Sequence, residues 1–391
     1  MPTPDFTKLD SLLSEYVSSK KLSGVVSIVT NVDEILYSKI EGVQDLASRV
    51  PMTWESIFRI YSMTKPVTSV AAMMMWEAGK FDLDDPVSDY LPAFKNSTVL
   101  EEDGTVRPAT RQVTIRDLLS HTAGMTLPAF AENHLVPMYL DNDLDGMRSR
   151  GSLIEVVDRL GQLPLLFDPG SQWSYSMATD VVGRLVEVWS GLTLSEFFQR
   201  RIFKPLKMND TAFTLAEKDK HRMTTNYSVE GDKLNSVIDA GETSSYLTPP
   251  EFTSGSGGLL STAGDYLQFT RMLLNGGTLN NTQILQPATV ELMAKNHLDG
   301  DMADMGAEGF NGASWQGIGF GLGFSAVVDP EKAGYGPEVS DWGWTGAAGT
   351  VFFVNPALNM AAILLTQYMP SRAYPLRLQF RKAVYDSFSV H

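Results

Sequence analysis

The chain has 391 residues, 43% hydrophobic and 20% charged, the balance of a soluble globular protein with a large core. A formal net charge of −15 argues against nucleic acid or an anionic membrane as partner, and the absence of cysteine excludes disulfides, thiol nucleophiles and Cys-ligated zinc. The five histidines, at 121, 134, 221, 297 and 391, show no close metal-ligand spacing, so neither a metal nor another cofactor is expected.

Met1 to Phe6 lacks the basic-then-apolar order of a signal peptide, and no apolar run approaches the ~20 residues of a membrane span. A cytoplasmic protein is the expectation. Residues 5–20 carry Phe6, Leu9, Leu12, Leu13, Tyr16 and Val17 at helical spacing. Two strand-like runs follow, Val25 to Thr30 and Ile35 to Ile40, separated as in an antiparallel hairpin.

Next comes Phe58-Arg59-Ile60-Tyr61-Ser62-Met63-Thr64-Lys65-Pro66, leading into the apolar run Val67 to Trp76. Ser62 and Lys65 share one face of a helix that begins there, with Cβ atoms roughly 5–6 Å apart. A serine hydroxyl needs a neighbour to take its proton before it attacks, and desolvation makes lysine a better base. The plain alternative is an N-cap serine with a solvated lysine. Ser18-Ser19-Lys20-Lys21 has the same spacing, but it ends a polar amphipathic helix. The helix after Lys65 is apolar nearly all round and so buried, which opens its first turn onto a cleft. Gly79 ends that helix as a C′ residue.

From 81 to 310 the signals are mainly helical. Thr114-x-x-Asp117, Thr193-x-x-Glu196 and Thr262-x-x-Asp265 read as helix starts, the last opening a helix to Leu274. Loop-like stretches at 125–152 and 296–318 have the length of binding loops or lids. Trp173-Ser174-Tyr175-Ser176-Met177 precedes a helix beginning near Ala178, where a tyrosine hydroxyl can project into a cleft or its ring can simply anchor the loop.

Strand character returns at Phe320 to Val328, Gly349 to Val354 and Met360 to Thr366, and a helix from about Tyr374 to Phe388 ends the chain. Ser340 to Gly349 reads as a strand of small residues, thin enough for another group to approach its backbone. The expected architecture is therefore an α/β domain from 1–80 and 311–391, with a mainly helical domain, 81–310, inserted and the cleft between them. No G-x-S-x-G elbow, Walker or dinucleotide glycine pattern is present.

Ser62-Met63-Thr64-Lys65, Tyr175-Ser176-Met177 and Trp344-Thr345-Gly346 resemble, in order and spacing, the three motifs of class C β-lactamases and DD-peptidases. The nearest subgroup is the β-lactamase-like (family VIII) carboxylesterases. Gly79 to Val87, Leu118-Leu119-Ser120-His121-Thr122-Ala123-Gly124 and Gly257 to Thr262 agree with it. The resemblance, over about residues 10 to 385, implies a β-lactamase-like fold: an antiparallel sheet flanked by N- and C-terminal helices, with the helical insertion. It implies Ser62 as acylated nucleophile, Lys65 and Tyr175 as proton relay, and the backbone N–H groups of Ser62 and Ala347 as oxyanion hole. His121 is read as structural.

The departures matter. Trp344 stands where the lactamases carry a lysine suited to a carboxylate, and Met177 where an asparagine binds the substrate amide. Trp344, Met177 and Gly346 are therefore expected at the substrate, and Phe130, Met138, Tyr139 and Trp315 at an acyl pocket. The reading favours a short-chain acyl esterase with a small-molecule ester as partner over a β-lactamase or D-amino-acid peptidase, an acyltransferase, or a binding module that has lost turnover.

Overall fold

The computed structural model describes residues 4–307, 309–310, 313–336 and 339–388; the expected boundary at residue 311 and His391 lie outside them. The β-branched run Gly24–Thr30 forms strand β1 and is buried along its whole length, as a run without polar alternation requires. Ile35–Gly42 (β2) pairs with it antiparallel and is partly exposed along its length, as an edge strand is. The C-terminal part supplies Ile318–Phe320 (β3), Ser325–Val327 (β4), Trp342–Thr345 (β5), Val351–Asn355 (β6) and Met360–Leu365 (β7). The sheet order is β3-β4-β5-β6-β7-β1-β2, antiparallel throughout, so the first and last parts of the chain meet where Val26 faces Leu365 and Ile28 faces Ile363.

The long helices are Thr7–Ser18 (α1), Thr64–Glu77 (α2), Ala178–Ser190 (α3), Ala263–Leu274 (α4) and Leu376–Phe388 (α5). Alternation along the strands sends successive side chains to opposite faces. Val25, Val29 and Phe353 pack with Leu9 and Leu13 of α1 and Phe380 and Val384 of α5. Val26, Ile28 and Phe352 belong to the other core, with Val67 and Val70 of α2 and Phe269 of α4. Helix α4 lies against β1, β6 and β7, so the middle of the chain covers part of the sheet. Helix α2 packs on α3 and is the buried axis between the sheet and the helical region.

Most boundaries follow from local chemistry. Thr114 and Thr193 each close a capping box with Asp117 and Glu196, and Thr262 accepts the Asp265 N–H. Gly79 sits at φ +67°, which ends α2. Three expectations are corrected. Phe320 to Val328 is not one strand but the hairpin β3–β4, because the chain turns at Gly323, which has φ +95°. There a Cβ would lie 2.1 Å from Ser69 Oγ of α2, a contact that only glycine permits. The stretch 340–349 is strand only over Trp342–Thr345 and then turns. The middle of the chain also holds a hairpin, Asn226–Glu230 with Lys233–Asp239, which is joined in parallel to Tyr368–Met369. No described helix is long and apolar enough to cross a membrane.

Candidate active site

The segment before α2 is a single turn, Tyr61–Met63, in which Tyr61 adopts φ +43°. A bulky residue held in the left-handed region is strained and persists only where its surroundings impose it. The Tyr61 hydroxyl accepts a hydrogen bond from Asn226 Nδ2 at 3.2 Å. This turn presents Ser62, half-buried, at the start of α2. Lys65 lies in the first turn of the helix and is only 2% exposed. Its ammonium donates to the Ser256 carbonyl at 3.0 Å and stands 4.5 Å from the Tyr175 ring centroid.

Tyr175 arrives from the loop before α3, and its hydroxyl donates to Ser62 Oγ at 2.6 Å. Three residue types far apart in the sequence, an alcohol, an amine and a phenol, thus come together. Around the phenol lie the rings of His121 at 5.2 Å, Trp344 at 5.6 Å and Phe130 at 6.0 Å. These rings set apolar surface around the phenol, and a low-dielectric wall strengthens the electrostatics beside it.

His121 is fully buried at φ +59°, and its Nδ1 pairs with Ser176 Oγ at 3.1 Å. Burial, and then the neighbouring Lys65 charge, push its pKa well below the usual histidine value, so the imidazole is neutral. It braces the Tyr175 loop.

The third segment closes the site from the end of β5. At Gly346 a Cβ would lie 2.3 Å from the Ile60 carbonyl oxygen and 2.2 Å from Thr350 Oγ1. Glycine is what lets this strand end press against the turn that carries Ser62. Gly346→Ala is expected to cost about 1–3 kcal/mol in stability through overpacking. The same shift is expected to reduce ester turnover at least about tenfold, since small misplacements are costly in catalysis; thermal melts and a chromogenic ester assay check both. Ser62 and Ala347 line the same cavity, and each carries a backbone N–H of the kind that can donate to an anion there. Two such donors are what a tetrahedral oxyanion requires.

A narrow cavity joins these groups, lined by Ser62, Phe130, Tyr175, Trp344, Thr345, Gly346, Ala347, Ser371 and Arg377. Phe130 and Trp344 lie where the sequence puts them, and Trp315 stacks on Trp344 at 6.2 Å. Met177 does not: it is 0% exposed, sunk into the core at the N-cap of α3. Tyr139 is likewise a core residue at 1% exposure, and neither it nor Met138 lines this cavity. Proximity in sequence to a motif or a loop says nothing of which way a side chain turns.

Two participants were not evident beforehand. Arg377, at the start of α5, donates to the Gly346 carbonyl and so holds the strand end that carries Ala347. Asp180, in the first turn of α3, is a fully buried carboxylate behind Lys65. A carboxylate set among Ala178, Val181 and Val182 was the available signal for Asp180; Arg377 offered none.

The sequence profile of the Beta-lactamase family matches residues 9–385. Protein Rv1367c of Mycobacterium tuberculosis is 33% identical over 92% of this chain and 89% of that one. Esterase EstB of Burkholderia gladioli is 31% identical over 97% of this chain and 94% of that protein. Among solved structures, EstCE1, described as a hydrolase with promiscuous acyltransferase activity, superposes with TM-score 0.81 at 28% identity over 97% of each chain. The profile match along nearly the whole chain, the esterase relatives and the shared architecture agree: the chain belongs to the Beta-lactamase family, as a serine hydrolase on its esterase-like branch.

Proposed function

We propose that the protein is a serine carboxylesterase that hydrolyses short-chain acyl esters in the cleft between an α/β unit (1–80 and 311–391) and a mainly helical unit (81–310). The observation that carries this reading is the 2.6 Å hydrogen bond from Tyr175 to Ser62 beside the buried Lys65 ammonium. In the proposed reacting form the Tyr175 oxygen has given up its proton and stands as a phenolate beside the Lys65 ammonium, so Ser62 Oγ attacks the ester carbonyl while its proton passes to that oxygen, reversing the resting hydrogen bond. The oxyanion is received by the Ser62 and Ala347 N–H groups. Tyr175 then returns the proton to the departing alkoxide, the C–O bond breaks, and the acyl group remains on Ser62. Water, deprotonated by the same relay, releases the carboxylic acid and restores the serine.

Two features favour a small, uncharged ester. The cavity is narrow and walled by Phe130 and Trp344, and Trp344 offers an indole face where the resembling lactamases have a cation. A β-lactam carboxylate finds no lysine at that position, and a lost charge partner is discriminated against strongly. Transfer of the acyl group to an alcohol other than water is the second reading, favoured by the aromatic wall around Tyr175 and by the described acyltransferase activity of EstCE1.

A series of 4-nitrophenyl esters of increasing acyl length, assayed beside nitrocefin, tests the proposal. Acetate and butyrate esters should turn over fastest, with kcat/KM at least about 10²-fold above that for nitrocefin, the size of effect that a missing charge partner produces. Nitrocefin turnover equal to the best ester would reject the esterase assignment. Addition of a short alcohol, with product analysis for a new ester, distinguishes transfer from hydrolysis.

A further inference from the structure

Lys65 is a buried cation whose hydrogen-bond acceptor is a neutral carbonyl, and among the described residues no carboxylate lies within ion-pair distance of it. A buried charge needs compensation. The carbonyl belongs to Ser256, in a strap that runs over the first two turns of α2. Thr68 Oγ1 donates to the Gly255 carbonyl at 2.6 Å, and the Leu259 N–H donates to Thr64 Oγ1 at 3.1 Å. From the other side the strap is gripped by Asp180 of α3. One carboxylate oxygen accepts from Ser254 Oγ at 2.8 Å and from the Ser256 N–H at 3.0 Å, and the other accepts from Ser256 Oγ. Asp180 and Lys65 therefore hold opposite sides of the same residue.

We propose that Asp180 is the positioning residue for Lys65. Its carboxylate fixes the strap whose carbonyl receives the ammonium, and places a counter-charge across Ser256 from it while Tyr175 exchanges a proton with Ser62. This inference rests on the serine-hydrolase mechanism above and adds to it the group that sets the charge of the relay. Burial raises the Asp180 carboxyl above the usual range, and Ser256, the Lys65 charge and Ser254 oppose that rise. The other titratable groups facing the relay are His121, held neutral by burial, and Arg377, whose charge acts on Tyr175.

The sign follows directly. A fixed anion favours protonated forms nearby, so its removal lowers every ionisation in the relay. Asp180→Asn keeps an acceptor for the Ser254 hydroxyl and the Ser256 N–H and deletes the charge. The measurement is the second-order rate of labelling of Ser62 by a fluorophosphonate probe between pH 5 and pH 10 (the pH limits are about the range over which such relays titrate). It reads the nucleophile whatever the natural substrate is.

Asp180→Asn should move both limbs of the profile about one unit toward acid and lower the maximum at least about tenfold. A profile that superposes on that of the parent overturns the proposal. If Asp180→Asn does not fold, the double variant Ser254→Ala and Ser256→Ala keeps the carboxylate and cuts two of its three donors. A lower labelling rate then supports the positioning role, and a parent-like rate overturns it. A parent protein that is not labelled at all rejects the hydrolase mechanism itself, and with it this inference.

Discussion

Ser62→Ala should abolish ester hydrolysis, lowering kcat by roughly 10⁴–10⁶-fold, the scale set when a serine nucleophile is removed from an intact hydrolase site. The residual rate would come from both backbone donors, which the substitution leaves in place, and from binding. The loss should not reflect unfolding. Ser62 is half-buried, and its replacement leaves α2 packed as before, so the stability change should stay within about 0.5 kcal/mol. Fluorophosphonate labelling, followed by intact-mass measurement, gives the decisive reading: one adduct on the parent and none on the variant. A variant that still labels at the parental rate would place the nucleophile elsewhere.

Tyr175→Phe is the second large effect. It removes one oxygen and keeps the ring that packs against His121, Phe130 and Trp344. The expected result is a fall in kcat of about 10²–10⁴-fold, the usual contribution of a positioned general acid–base group, with KM changed little. The labelling rate should fall with kcat, because acylation of the serine loses its proton acceptor. Circular dichroism and the melting midpoint should match the parent. If activity survives in Tyr175→Phe but is lost in Lys65→Met, the lysine takes the serine proton directly and the tyrosine serves only to shape the pocket.

Much of the scaffold was legible because its signals are local. The capping residues Thr114, Thr193 and Thr262, the left-handed Gly79 and the apolar run of α2 each encode their own geometry over a few residues. What was not legible depends on distant partners. The turn that divides β3 from β4 is fixed by the fit of Gly323 against Ser69, a contact between opposite ends of the chain. The hairpin 226–239 gains its third strand from Tyr368–Met369. At the site, Ser62, Lys65 and Tyr175 stand out because the three motifs occur together in one order, the first of them before a buried helix; each pattern alone also fits a plain structural role. The direction of a side chain at a helix start is not marked in this way, and Met177 is found in the core. Asp180 and Arg377 matter through what folding brings to them, and no spacing announces that.

The pairing of β7 with β1 has a consequence for how activity is born. The serine comes early in synthesis, whereas Ala347 and Arg377 emerge close to the end, before and after β7, the strand that must dock beside β1. On the proposed mechanism, a ribosome-held or proteolytically shortened chain would possess a nucleophile but only half a cradle for the oxyanion. Hydrolysis should switch on in a single step when the tail seats itself, and clipping before β5 should yield an inert product rather than a sluggish one.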